Sequence, residues 1–199
     1  QPLPLVGSSI GSWRFAAALQ SDPTTAIDTL RALYTDQQFS ATPDLAEVTA
    51  MGRHILSRLL GERGAADALG HPWGRLHVVT AHCQGLIASD NRLPLTVGLA
   101  RATLSNSVQR VRLGRHLHRH VFADPRTSLP RSAFPGFRHK TLPLNTANIA
   151  DALLASGSIP FVLEAVTIEG RRGYRDGGLI DYHMDLPLAQ QGLVLMPHF

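Results

Sequence analysis

The stretch Pro4-Leu5-Val6-Gly7-Ser8-Ser9-Ile10-Gly11-Ser12-Trp13-Arg14 constrains this chain more than any other. A short apolar run enters Gly-x-Ser-x-Gly, and a segment able to form a helix, Arg14 to Leu19, follows at once. Strand, tight turn and helix in that order are what a nucleophile elbow requires. In such a turn the central residue is strained, and the flanking glycines let strand and helix approach where side chains would collide. This assigns Gly7 and Gly11 to the close approach and Ser9 to the exposed apex. The N–H of Ile10, at the start of the helix, then faces any negative charge that develops on a bound substrate. A Gly/Ser-rich surface turn has the same composition, so the motif needs a partner elsewhere in the chain.

The 199 residues suffice for one substantial core, and an apolar content of 44% places the chain among globular proteins. A single domain over 1–199 is expected. No apolar run approaches the roughly 20 residues that span a bilayer. Cys83 is the only cysteine, which excludes an intrachain disulfide. The net charge of +4 comes almost wholly from arginine, Lys140 being the one lysine. No aromatic interleaving or nucleic-acid-reading module accompanies it, so no nucleic-acid partner is expected.

Helix starts are predicted at Ser21-Asp22-Pro23 and Thr42-Pro43-Asp44, where a capping residue stands beside proline. After the first, Ala26, Ile27, Leu30, Leu33 and Tyr34 fall at helical spacing. After the second, Leu45, Val48, Ile55, Leu56, Leu59 and Leu60 do so, ending near Gly61. A short helix or turn is expected from Ala65 to Gly70, and Leu76 to His82 reads as a strand. Leu93 to Leu104 fits helix or strand equally. Val108 to Phe122 is expected to be a strand or hairpin near an edge, and Pro125 to Pro143 a loop. Thr146 to Ala155 reads as a helix, Phe161 to Ile168 and Gly192 to Pro197 as strands. Alternating strands and helices argue for an α/β sheet with helices on both faces.

The partner for the first motif is Asp176-Gly177-Gly178. Together the two resemble the patatin-like phospholipase family, which pairs Gly-x-Ser-x-Gly with a downstream Asp-Gly-Gly or Asp-Gly-Ala. Leu154-Ala155-Ser156-Gly157-Ser158-Ile159-Pro160 is similar to that family's helix-ending Ala-Ser-x-x-x-Pro segment. The resemblance implies a three-layer α/β sandwich around a central, mostly parallel sheet. It also implies a Ser9–Asp176 dyad, with Ser9 as nucleophile and Asp176 as base, cleaving phospholipid or other acyl esters without a cofactor or metal. Peripheral membrane contact fits such a substrate. The family's glycine-rich oxyanion loop, which precedes the nucleophile strand, is not among these residues, so the domain is expected to be incomplete at its N-terminus, with incompleteness at the C-terminus also left open.

The chemistry stands without the family. A serine hydroxyl is protonated at neutral pH and needs an adjacent base to attack an ester carbonyl. A partly desolvated aspartate is a stronger base, and Gly177 and Gly178 let the chain turn tightly enough to hold Asp176 against the elbow. Two other readings remain. One is an α/β-hydrolase triad in the order Ser9, Asp176, His198; the other is a lipid-binding module without catalysis. His77 and His82 should lie on opposite sides of a strand. His116, His118 and His120 alternate with metal-like spacing but without a nearby carboxylate or cysteine, and read as a solvated basic face. Cys83 reads as a small buried residue and Asp181 as a turn or cap.

Overall fold

A computed structural model of the chain describes residues 2–108, 110–127, 134 and 139–181. Strand β1 (Leu3–Gly7) runs into α1 (Ser9–Ala18) with a single residue between them. Helices α2 (Pro23–Thr35), α3 (Leu45–Leu60) and α4 (Gly64–Gly70) follow, then the long strand β2 (Gly74–Cys83). A 3-10 turn (Gly85–Ala88) leads to α5 (Arg92–Val108) and α6 (Arg110–Leu113), then β3 (Leu117–Ala123) and β4 (His139–Pro143). Helix α7 (Ile149–Ser156), β5 (Val166–Ile168), β6 (Arg171–Asp176) and a 3-10 turn (Gly177–Leu179) complete the described elements.

The predicted helix starts are set by side-chain caps. Asp22 accepts the N–H of Thr25 at 3.1 Å, with Pro23 in the first turn, and Asp44 accepts that of Glu47 at 2.7 Å. Gly61, at φ 50°, ends α3. On α2 the buried residues are Ala26 and Leu30, whereas Ile27 and Tyr34, apolar at the same spacing, face solvent.

The strands form one sheet in the order β4-β3-β2-β6-β5, with β1 also paired to β2. Among the described residues β1–β2 and β3–β4 are parallel, while β2–β3, β2–β6 and β5–β6 are antiparallel, so the central sheet is mixed. Strand β2 is its axis. Leu76 and Val78 point into a core built with Trp13, Ala16, Ile55, Leu56, Leu153 and Leu154. Ala81 and Cys83 point the opposite way, towards Ile87, Leu95, Ala102 and Leu113, and Val79 towards Val121 and Phe134. Burial on both faces explains why β2 reads as a nearly continuous apolar run. Helices cover the sheet on both sides, as the α/β pattern predicts.

Several sequence expectations change. Leu93–Leu104 lies within helix α5, and Val108 belongs to that helix too, so only Leu117 onward of the expected Val108–Phe122 hairpin is strand. That strand, β3, is interior, flanked by β2 and β4; its arginine and histidines mimic the polar alternation of an edge. Arg119 is buried there and pairs with Asp181, so Asp181 serves an ion pair (2.7 Å to Nη2), not a cap. The Pro125–Pro143 region contains β4. Only Val166–Ile168 of the Phe161–Ile168 segment is strand. Residues 192–197 lie outside the described residues.

His77 and His82 do face opposite sides of β2, and His77 is fully buried. Neither of its ring nitrogens has a hydrogen-bond partner among the described residues. Desolvation lowers its pKa to about 4, against the opposing pull of Asp124. A folded pKa below the unfolded 6.5 means the unfolded chain binds the extra proton, so stability is present above pH 6.5 and lost as pH falls towards 4. The shift corresponds to about 3 kcal/mol. Urea unfolding at pH 7 and pH 4.5 should show most of that loss in the wild type and a correspondingly smaller loss in His77→Leu. Equal losses would mean that His77 is not what acid attacks.

Candidate active site

Ser9 and Asp176 meet because of how two strands share one edge of β2. β3 occupies the other edge, pairing with His77 through Cys83. On the free edge β1 runs parallel to β2 and ends with Gly7 beside Val78. β6 runs antiparallel down the same edge and ends with Asp176 beside Thr80. The two C-terminal ends therefore converge on Val79, and the turns leaving them, Ser8–Ser9 and Gly177–Gly178, touch. This registration brings together residues 167 positions apart.

The junction is tight. A Cβ on Gly177 would stand 2.6 Å from both Ser8 Oγ and the Val79 carbonyl oxygen. A Cβ on Gly7 would stand 2.8 Å from the backbone N and Cα of Ser12. Gly11 has nothing within 4 Å of such a Cβ, so the close approach expected of both motif glycines belongs to Gly7 alone. Ser9 is at φ 51°, a conformation that costs a non-glycine residue on the order of 1–3 kcal/mol. The strain predicted for the apex is therefore present. The helix begins at Ser9 itself, earlier than the expected Arg14, which puts the Ile10 N–H in the first turn of α1.

Asp176 is 7% exposed. Its Oδ1 accepts the Gly178 N–H at 2.6 Å, and the Ser8 hydroxyl lies 3.5 Å from the same oxygen. Burial raises its pKa, with hydrogen bonds from Gly178, Ser9 and Ser8 opposing the rise. Gly177 and Gly178 are not at positive φ, so they do not act as left-handed turn residues. Gly177 is required by space, and Gly178 supplies a donor.

A second layer fixes this geometry, and neither Gly-x-Ser-x-Gly nor Asp-Gly-Gly announces it. Ser12 Oγ and Ser156 Oγ are 2.7 Å apart and both buried, joining α1 to the end of α7. Trp13 Nε1 donates to the Leu153 carbonyl at 2.8 Å across the same interface. The Ser158 carbonyl accepts the Asp176 N–H at 3.1 Å. A Cβ on Gly157 would lie 3.7 Å from Ser9 Oγ, an ordinary contact distance, so the end of α7 passes directly beside the hydroxyl. Arg175, buried beside Asp176, donates to the carbonyls of Ile87, Ser89 and Leu163 and pairs with Asp90 at 2.7 Å. Ser156 and Gly157 fall in the Ala-Ser-x-x-x-Pro segment, the one signal that pointed to them. His198, the third member of the rival triad, lies outside the described residues.

A buried carboxylate with a raised pKa, beside a serine held at a strained strand–helix junction, is an arrangement able to move a proton from a hydroxyl. The family model of patatin-like phospholipases matches residues 1–184. The chain belongs to the patatin-like phospholipase family, whose members are lipid acyl hydrolases. No curated protein and no solved structure matches it.

Proposed function

We propose that the chain is a serine esterase of the phospholipase A type, cleaving carboxylic esters of lipids through a Ser9–Asp176 dyad. The observation that carries this reading is the convergence of β1 and β6 on Val79, which sets the strained Ser9 beside the desolvated Asp176. Ser9 Oγ attacks the ester carbonyl while the Asp176 carboxylate takes its proton. The oxyanion faces the Ile10 N–H and the N-terminus of α1. On collapse the protonated Asp176 gives its proton to the leaving alkoxide, and an acyl ester of Ser9 remains. Asp176 then activates water to hydrolyse that ester, restoring both groups.

The substrate class is supported by the segment that follows Gly157, the residue beside Ser9. Beyond Gly157, Ile159, Phe161 and Val162 are each more than 40% exposed, an apolar rim suited to acyl chains or a lipid surface. No helix among the described residues is long and apolar enough to cross a membrane.

A fluorophosphonate should label the wild type and Ser8→Ala but not Ser9→Ala. Phosphatidylcholine vesicles should release fatty acid with the same pattern. Because Asp176 works deprotonated and burial raises its pKa above 3.8, the acid limb of kcat/KM should lie above that value. Labelling that survives Ser9→Ala would end the dyad assignment, and labelling without acyl release would favour a binding module.

A further inference from the structure

A second cluster of reactive side chains lies on the sheet, beginning at Tyr174, two residues before Asp176 on β6. His82 on β2 is directly opposite His118 on β3, and His120 follows two residues along β3, opposite Thr80. Strand alternation puts all three on one face. Each offers a ring nitrogen, and these nitrogens lie within 4.8 Å of one another. The trio differs from the one suggested by sequence. His116 precedes β3 and its Nε2 lies 3.3 Å from Ser105 Oγ, while His82 joins from the neighbouring strand.

We propose that His82, His118 and His120 form a three-imidazole site for a borderline divalent metal, zinc above all. Three histidines with an open fourth position are a ligand set that holds zinc, and imidazole nitrogens favour zinc, cobalt, nickel or copper over magnesium or calcium. Metal-bound imidazoles ordinarily have the other ring nitrogen held by an outer partner, and here each ring has one. His82 Nε2 is 3.1 Å from the Arg172 carbonyl, which can only accept, so that nitrogen carries the proton and Nδ1 keeps its lone pair. His120 Nδ1 is 3.1 Å from the Tyr174 hydroxyl. His118 Nδ1 is 3.2 Å from the Gln84 side-chain amide, whose oxygen can take the place of its nitrogen by a flip.

Zinc–nitrogen bonds of 2.0–2.1 Å in a tetrahedral site need nitrogens about 3.4 Å apart, so the rings must close by about an ångström or more. His82 and His118 are half-buried at the end of β2 and the start of β3. His82 is stacked on His120, 4.9 Å between ring centroids and 11° between planes, so its ring must also turn out of that stack to share an ion with it. Lys140 and Arg171 stand near the cluster and the three ligands carry no negative charge. Those cations favour hydroxide or chloride over neutral water in the fourth position. Occupancy ties β2 to β3 and, through Tyr174, to β6, so its expected effect is on stability.

The 199-residue protein, stripped by chelation, is titrated with ZnCl₂, CoCl₂, MgCl₂ and CaCl₂. Zinc at a hundred-fold excess over Kd should raise Tm by about 5–10 °C, and magnesium and calcium should leave it unchanged. Cobalt should give the visible d–d bands of a four-coordinate ion at one per chain. His82→Gln and His118→Gln should each abolish both signals, while His116→Gln and His54→Gln should retain them. The cobalt spectrum of the wild type decides the matter even if a variant fails to fold. No four-coordinate spectrum, no zinc shift, or an undiminished shift in folded His118→Gln would overturn the site.

Discussion

Replacing Ser9 by alanine should lower kcat on a lipid ester by at least about 10³-fold, and Asp176→Asn should do the same. The double variant should be scarcely worse than either alone, because nucleophile and base act as one unit. KM should change little, since neither group is needed to hold the acyl chain. Ser8→Ala is the informative control. Its hydroxyl also lies near Asp176 Oδ1, at 3.5 Å, but it is shared with the carbonyls of Val79 and Ser156 at 3.4 and 3.5 Å. Ser8 lacks the strained φ that presents Ser9, so its loss should cost less than about tenfold. If Ser8→Ala were the inactive variant and Ser9→Ala the active one, the nucleophile would be Ser8.

Asp176→Asn carries a second expectation that separates chemistry from architecture. The folded pKa of Asp176 is raised by burial, so its favourable contribution belongs to pH values below the unfolded 3.8 and disappears as pH rises through the folded value. At pH 7 the folded protein therefore bears a desolvated charge. Asparagine removes that charge and keeps an oxygen for the Gly178 N–H. The variant should be inactive yet have a higher Tm than the wild type at pH 7. A merely structural aspartate would give the reverse, a lower Tm with activity falling only as the protein unfolds.

The parts of this site legible in the sequence are those governed by local sterics. Gly-x-Ser-x-Gly predicts a strained serine between strand and helix, and Ser9 has the positive φ. Asp22 and Asp44 fix their helix starts with short, local hydrogen bonds. What sequence conveyed poorly depends on registration between distant strands. Nothing local in Val79 says that two strand ends will converge on it, and nothing in Ser12 or Ser156 says that their hydroxyls will meet across 144 positions. β3 shows the same limit from the other side. Arg119 reads as an edge-strand residue, yet it is interior because Asp181, 62 residues later, neutralises it. The histidines follow this rule too: alternation placed His118 and His120 on one face, but only β-pairing could supply His82.

Two glycines, one from each motif, should behave oppositely when replaced. Gly177→Ala puts a methyl group 2.6 Å from the Val79 carbonyl, which belongs to the axis of the sheet and cannot yield, and equally close to Ser8 Oγ. The turn must move instead, taking Asp176 with it. Overpacking of this kind costs typically 1–3 kcal/mol, and a shift of the base by about an ångström costs on the order of 10²-fold in rate. Stability and kcat should therefore fall together, with the loss in kcat persisting at temperatures where the variant is fully folded. Gly11→Ala meets nothing within 4 Å and lies in a helix at ordinary φ, so the methyl group should reduce unfolded-state entropy without a clash. That variant should gain roughly 0.5–1 kcal/mol of stability. Urea unfolding of both proteins checks the pair. Two destabilised variants would show that strand and helix are held apart by less space at Gly11 than the backbone allows, and two unharmed ones would mean that the junction at Val79 yields.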